Sequence, residues 1–291
     1  MKNVLITGVK GQLGCEMRLL AQENTEFNYF LTDIDELNIC NEQAVMDFVT
    51  RNQIDVIVNC AAYTAVDRAE DDPKLCNELN HNAPGYLAKA IETRKGCLIQ
   101  ISTDYVYDGT AHTPYHEDQI PCPNSMYGIT KLAGEKEAQR YCKRVMIIRT
   151  AWLYSVFGNN FVKTMLRLGV ERPEIGVIFD QVGTPTYARD LAKAIFVALK
   201  QGVVPGVYHF SNEGVCSWYD FTKAIHRIAG ITDCKVNPLH TEDYPTKANR
   251  PSYSVLDKSK IKQVYGLEIP HWMDSLEECI ALMRVLNKEQ E

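Results

Sequence analysis

The strongest constraint on this chain is a rhythm. Five short apolar, β-rich runs, VLIT (4–7), FNYFLT (27–32), DVIVN (55–59), CLIQI (97–101) and VMIIR (145–149), alternate with helix-length amphipathic segments. Connections of roughly 20 to 45 residues are too long for hairpins and long enough for crossover helices, so the strands are expected to run parallel. Parallel strands need both faces covered, and right-handed crossovers then give a doubly wound sheet whose ligands gather at the carboxyl ends of the strands. The expected fold class is therefore α/β, a Rossmann-type doubly wound parallel sheet over residues 1–150. After Thr150 the rhythm breaks into stretches punctuated by Gly and Pro, among them NNFVKTMLRL (159–168), FDQVGTPTY (179–187) and YPTKANRP (244–251). These predict a smaller C-terminal α/β substrate-binding lobe over 151–291. Within it, RDLAKAIFVALK (189–200) reads as an amphipathic helix, and a helix near 187–200 is able to return and pack on the first lobe.

The 291 residues are 45% hydrophobic and 23% charged, enough for a large core. Thirty-seven acidic against 31 basic residues leave a net charge of −6, which gives no electrostatic case for nucleic acid or an anionic membrane surface. A small anionic ligand would need donors gathered locally. The N-terminus, MKNVLITG, enters an apolar run at once with no basic-then-apolar leader, and no run of about 18 apolar residues follows, so a cytoplasmic protein is expected. The ten cysteines show no C-x-x-C spacing, and several lie inside apolar runs, as in VIVNC (56–60). They are expected to be reduced packing residues. His112 and His116 have the i,i+4 spacing of metal ligands, but Pro114 lies between them and no third ligand accompanies them.

Four strand ends carry candidate chemistry. In TGVKGQLG (7–14), Gly8, Gly11 and Gly14 follow the first strand at three-residue spacing and open a helix, the context of a dinucleotide fingerprint. Gly11 would let the backbone approach a pyrophosphate, and Gly14 would let helix and strand pack closely. Asp33 ends the second strand 19 residues after Gly14, where a carboxylate would bond the adenosine ribose; with Asp35 and Glu36 beside it and no adjacent arginine, the loop leans to NADH. In NCAAYT (59–64), small residues would let a cofactor lie flat, and Thr64 would bond ribose or diphosphate. In ISTDY (101–105), Ser102 or Thr103 would donate to a substrate oxygen.

SMYGITK (125–131) follows, its helix start set by Pro123 with Asn124 or Ser125. By itself, a Tyr127–Lys131 pair on one helical face is an ordinary solvated pair. Placed after a glycine turn, an acidic second strand end and a hydroxyl strand end, it reads instead as a proton donor and the ammonium that assists it. A free phenol has a pKa of about 10, so Lys131 is expected to lower that of Tyr127 and to hold the nicotinamide ribose.

These motifs, together with STDYVY (102–107), YGITKLAGEK (127–136), RTAWLY (149–154), GNNFVKTMLRL (158–168), DQVGTPT (180–186) and YPTKANRP (244–251), resemble the extended short-chain dehydrogenase/reductases and, within them, the dTDP-4-dehydrorhamnose reductase family. The resemblance implies hydride transfer from NADPH or NADH to C4 of dTDP-6-deoxy-L-lyxo-4-hexulose, a nucleotide-sugar ketone, with Tyr127 as proton donor. It further implies cofactor contacts at Gly11, Gln12, Leu13, Asp33, Asn38, Ile39, Ala62, Tyr63 and Thr64, and substrate contacts at Thr103, Asp104 and Trp152. Some members of that family form a homodimer around Mg²⁺ held by glutamates. Glu16 matches one such position, but a lone glutamate in a first helical turn also suits the helix dipole, so no metal is assigned and the chain is read as monomer or homodimer. Arg250 is a candidate for the substrate diphosphate because its planar fork of donors fits one; a solvated arginine is the alternative.

Three other readings stay open. A sugar-nucleotide 4,6-dehydratase needs an acid–base pair at C5, and here Tyr105 stands where the second carboxylate would follow Asp104. A 4-epimerase needs only a retained NAD and the Tyr/Lys pair. A non-catalytic dinucleotide-binding regulatory subunit would keep the residues without turnover.

Overall fold

The structure is a computed structural model that describes residues 1–288, so residues 289–291 of the expected second lobe lie outside the described residues. Its centre is a six-stranded parallel sheet. From one edge the order is Gly206–His209, Val145–Thr150, Cys97–Thr103, Val56–Asn59, Lys2–Thr7 and Phe27–Thr32. The chain winds outward from Lys2–Thr7 in both directions, so the switch in strand order lies beside that first strand and puts a crevice over its carboxyl end.

Alternation along each strand explains the two covered faces. Val4, Ile6, Val58, Ile99 and Ile148 point to the side packed by Gln12–Glu23 and Ala188–Gln201. Leu5, Ile57, Leu98 and Ile147 point to the side packed by Glu42–Arg51, Ala83–Thr93 and Met126–Tyr141. Nearly all of these side chains are fully buried, each stabilising the sheet by about 1.5–3 kcal/mol relative to exposure.

The five expected strands are present, and a sixth comes from beyond residue 150. Helix Ala188–Gln201 returns to lie along Gln12–Glu23, and Gly206–His209 then joins the sheet edge parallel to Val145–Thr150. At four residues, with Pro205 and Gly206 at its start, that strand is too short to show a period. Helix Ser259–Tyr265 also packs against the sheet, through Ile261 and Tyr265, while helices Phe161–Glu171, Trp218–Ala229 and Trp272–Lys288 surround a parallel pair of strands, Glu174–Ile178 and Lys235–Leu239, in a second core. All ten cysteines are free thiols. Among the described residues no helix is long and apolar enough to cross a membrane.

Candidate active site

The glycine turn is built by close approach. Gly8 has φ +67°, the left-handed region that favours glycine, and a Cβ there would sit 2.7 Å from the Ala61 backbone nitrogen. A Cβ on Gly14 would lie 2.0 Å from the Gly8 carbonyl oxygen, so helix Gln12–Glu23 can seat on the turn only without a side chain there. Gly11 caps that helix without any side-chain cap, which leaves the first-turn N–H groups directed over the sheet end.

Beside the turn is a cavity of about 520 Å³, lined by Gly8, Lys10, Gly11, Asp33, Asn38, Ile39, Ala62, Leu75 and Leu79 among others. Asp33 is fixed by its neighbours, accepting from the backbone N–H of Lys10 and of Ile34, both at 2.9 Å. Lys10 is a residue the sequence reading overlooked. Its ammonium forms an ion pair with Asp35 at the cavity rim, so the acidic loop does carry a compensating cation, in the TGVKG segment rather than beside the loop. Tyr63 lines neither this cavity nor the next; Asn80, in a π-helical turn over Glu78–Asn82, clamps its backbone on both sides, and its ring packs in the cluster around Tyr127.

A second cavity of about 490 Å³ continues from the first, sharing Gly11, Cys60 and Ala62 with it. Gln12, Leu13, Thr64, Thr103, Asp104, Tyr127, Lys131 and Trp152 all line it. The helix that carries the pair starts at Ser125, whose hydroxyl accepts from the Gly128 N–H at 3.2 Å, and buries Tyr127, Lys131, Gly134 and Ala138 along one face. Tyr127 packs edge-on against Tyr105 with centroids 5.4 Å apart.

The Lys131 ammonium donates to the Ile101 carbonyl at 2.6 Å, and burial lowers its pKa to about 8. Burial raises the Tyr127 phenol, with the Thr103 hydroxyl pulling the other way. This is opposite to the expected effect of Lys131, because stripping water from the ring outweighs an ammonium already directed at a carbonyl. Ser102 is not the free donor it was expected to be: its hydroxyl donates to Glu135 at 2.5 Å, and that of Thr103 donates to Asp104 at 2.9 Å, so Thr103 reaches a substrate oxygen only by turning from Asp104.

On the far wall, Asp104 is buried and its carboxyl is pushed up to about 6 by that burial; Oδ1 accepts from Thr103 at 2.9 Å, and Oδ2 has no partner among the described residues. Trp152 has φ +49° and lies stacked on Trp218 with centroids 3.5 Å apart. A left-handed tryptophan costs roughly 1–2 kcal/mol, and stacking in a water-poor wall offsets it. Trp218 and Asn160 also escaped the sequence reading. Asn160 caps helix Phe161–Glu171 and donates to Gln12 at 3.0 Å, tying the second lobe to the glycine turn. The signal was present in GNN before an amphipathic run, an N-cap in front of a helix.

Arg250 does not line the Tyr127 cavity. It pairs with Asp67 at 2.7 Å and borders a separate cavity of about 450 Å³ formed by Phe161, Met165, Trp218 and Tyr244. Glu16 lies past the first turn of its helix, is buried, accepts from Ser155 at 2.6 Å, and feels Arg189, Glu278 and Lys193; among the described residues no group of three or more His, Cys, Asp or Glu side chains of one chain is placed to hold a metal.

A family model described as the RmlD substrate binding domain matches residues 1–285. The dTDP-4-dehydrorhamnose reductase of Escherichia coli (strain K12) is 40% identical over 98% of this chain and 97% of its own length. Among solved structures, a dTDP-4-dehydrorhamnose reductase from Clostridium acetobutylicum superposes with a TM-score of 0.93 at 41% identity, covering 97% of this chain and 99% of that one. One from Bacillus anthracis, in complex with NADP, gives 0.91 at 39% identity, covering 97% of this chain and 99% of that one. The chain belongs to the dTDP-4-dehydrorhamnose reductase family.

Proposed function

We propose that this chain reduces the C4 ketone of dTDP-6-deoxy-L-lyxo-4-hexulose to the alcohol of dTDP-L-rhamnose, using a reduced nicotinamide dinucleotide. The observation that carries the reading is convergence: Thr103, Tyr127 and Lys131 line one cavity that opens into a second, glycine-walled cavity over the same sheet end. When bound, the dinucleotide supplies the hydride. The chain's own groups do the rest. Thr103 turns its hydroxyl from Asp104 to donate to the ketone oxygen, Tyr127 passes its phenolic proton to that oxygen as charge develops, and Lys131 holds the ribose and steadies the phenolate with its ammonium. The phenol starts high because it is buried, so it is a reluctant acid until an oxyanion forms beside it.

The long groove fits an extended dinucleotide: Gly8 and Gly11 leave room for the pyrophosphate, Asp33 faces the ribose, and Ile39, Leu75 and Leu79 form an apolar slot. Both NADPH and NADH are proposed to serve, since Lys10 supplies the positive charge that a 2′-phosphate needs against Asp33 and Asp35. The Trp152–Trp218 stack and Asp104 hold the sugar, and the cavity at Arg250 takes the nucleotide end, where Arg250 leaves Asp67 for the diphosphate. Residues 151–187, 211–258 and 270–288 then form the substrate lobe, with 188–210 and 259–269, whose Ile261 and Tyr265 pack in the sheet's core, lent to the sheet.

Tyr105, raised by burial, is unsuited to act as the second base of a dehydratase. The deciding experiment is oxidation of dTDP-L-rhamnose with NADP⁺ and NAD⁺ in parallel, followed through the absorbance of the reduced nicotinamide. Turnover with neither cofactor would overturn the reading. Stoichiometric cofactor retained through purification would point to an epimerase instead.

A further inference from the structure

Behind Lys131 lies a buried charge network that the proposed reaction leaves unused. Glu135, one helical turn further on, accepts from Ser102 Oγ at 2.5 Å and Arg149 Nε at 3.0 Å on one oxygen, and from Arg149 Nη2 at 2.7 Å on the other. Glu135 and Arg149 are each about 3% exposed. Arg149 Nη1 donates to the Tyr107 hydroxyl at 2.7 Å, and that hydroxyl lies 2.8 Å from His209 Nε2. Burial and Arg149 push His209 down to about 3, so its ring is neutral, with Nδ1 donating to the Asp257 carbonyl at 3.2 Å; the one Tyr107 hydroxyl proton is shared between Nε2 and the His116 carbonyl, which lies at 3.0 Å. Glu135 cannot swing away without breaking three bonds. A buried ion pair of this kind is a poor device for stability alone, because desolvation consumes most of its attraction.

We propose that Glu135 is a positioning residue for Lys131: the Ser102–Glu135–Arg149 network fixes a negative charge one turn from the lysine, and that charge holds the buried ammonium protonated at neutral pH. The proposal rests on the role given above to Lys131. Burial drives the lysine down, and Glu135 is the first influence opposing it. The other groups that face Lys131 are few. Its own helix adds the neutral Tyr127; helix Pro73–Asn77 adds Cys76, a thiol raised by burial; strand Cys97–Thr103 adds the Ile101 carbonyl and the Ser102 hydroxyl; and Arg149 reaches it only through Glu135. Glu135 is thus the one carboxyl group acting on the lysine from this shell.

The test measures NADPH affinity and kcat against pH, with melting temperatures, for the parent protein, Lys131→Met, Glu135→Gln and the charge-balanced pair Glu135→Gln/Arg149→Met. The parent is expected to lose affinity and rate on an alkaline limb near pH 8, and Lys131→Met to lack that limb. A limb that persists in Lys131→Met overturns the role of Lys131 itself, separately from the proposal. Glu135→Gln is expected to move the limb down by about one pH unit, roughly a fivefold loss of active enzyme at the parent's midpoint, because it removes the anion and leaves Arg149 unbalanced. The double variant should move it the same way by less. A melting temperature that falls while the limb stays in place assigns Glu135 to folding only and overturns the proposal. If Glu135→Gln yields no folded protein, the double variant decides: a lowered limb supports the proposal and an unmoved one overturns it.

Discussion

The two halves of the groove are made in different ways. The dinucleotide half is mostly main chain: the Gly8 turn, the first N–H groups of Gln12–Glu23 and the Ala61–Ala62 backbone, each following directly on a sheet strand. The sugar half is mostly side chains, with Trp152, Trp218 and Arg250 arriving from segments far apart in sequence and held by stacking, a left-handed backbone and an ion pair. A main-chain site is fixed by the sheet and tolerates little change in shape. A side-chain site depends on contacts between loops and tolerates substitution at a graded cost. Variants in each half, and at the seam between them, test that difference.

The largest effect is expected at the seam. Tyr127→Phe keeps the ring and its contact with Tyr105 but removes the proton, so kcat should fall by about 10² or more while dinucleotide affinity stays nearly unchanged. An unaltered kcat would remove Tyr127 from the chemistry. Next comes the dinucleotide half. Gly14→Ala places a Cβ 2.0 Å from the Gly8 oxygen and 2.7 Å from Val9 Cα, both backbone atoms that cannot step aside. The helix must shift off the turn, at a cost of about 1–3 kcal/mol in stability, and cofactor-induced stabilisation should shrink with it. Melting curves with and without NADPH check both; a native melting temperature would show that the turn is less rigid than its geometry.

In the sugar half the cost should be smaller and confined to one ligand. Arg250→Gln is expected to raise KM for the sugar nucleotide about tenfold, leaving kcat and dinucleotide affinity near their parent values. A loss of dinucleotide affinity instead would mean that the Arg250–Asp67 pair supports the neighbouring cofactor cavity rather than the substrate.

The same contrast explains what the sequence made legible. The five strands and the glycine turn follow from local periodicity and spacing, and so did the shared face of Tyr127 and Lys131. The edge strand Gly206–His209 escaped because four residues carry no period, and its place is set by the helix that delivers it. Trp218 escaped because its partner Trp152 is remote in sequence and no helical pattern distinguishes a stacking tryptophan from a packing one. Glu135 was inside the quoted YGITKLAGEK segment, four residues after Lys131, yet its significance depends on Arg149 from the next strand. The direction of the Tyr127 shift was misjudged for a related reason: spacing reveals a nearby ammonium but not the water that burial removes.

The smallest effect is expected from Lys10. Its pairing with Asp35 is exposed on both sides, so the ammonium is held loosely and can be shared with a phosphate placed beside Asp33. Exposed charge pairs contribute little, which sets the scale of any preference it confers. Lys10→Ala should therefore lower kcat/KM for NADPH relative to NADH by only about two- to fivefold, and the change should fade as salt is raised, since exposed charges are screened over about 10 Å at 0.1 M ionic strength. Steady-state kinetics with both cofactors at low and high salt measure the ratio directly. A ratio untouched by the substitution would leave the acidic loop unopposed in practice and shift the expected preference back to NADH. A tenfold or greater change, insensitive to salt, would mean that Lys10 closes over the phosphate in a desolvated contact. The dinucleotide half would then owe part of its selectivity to a side chain, and the contrast with the sugar half would narrow.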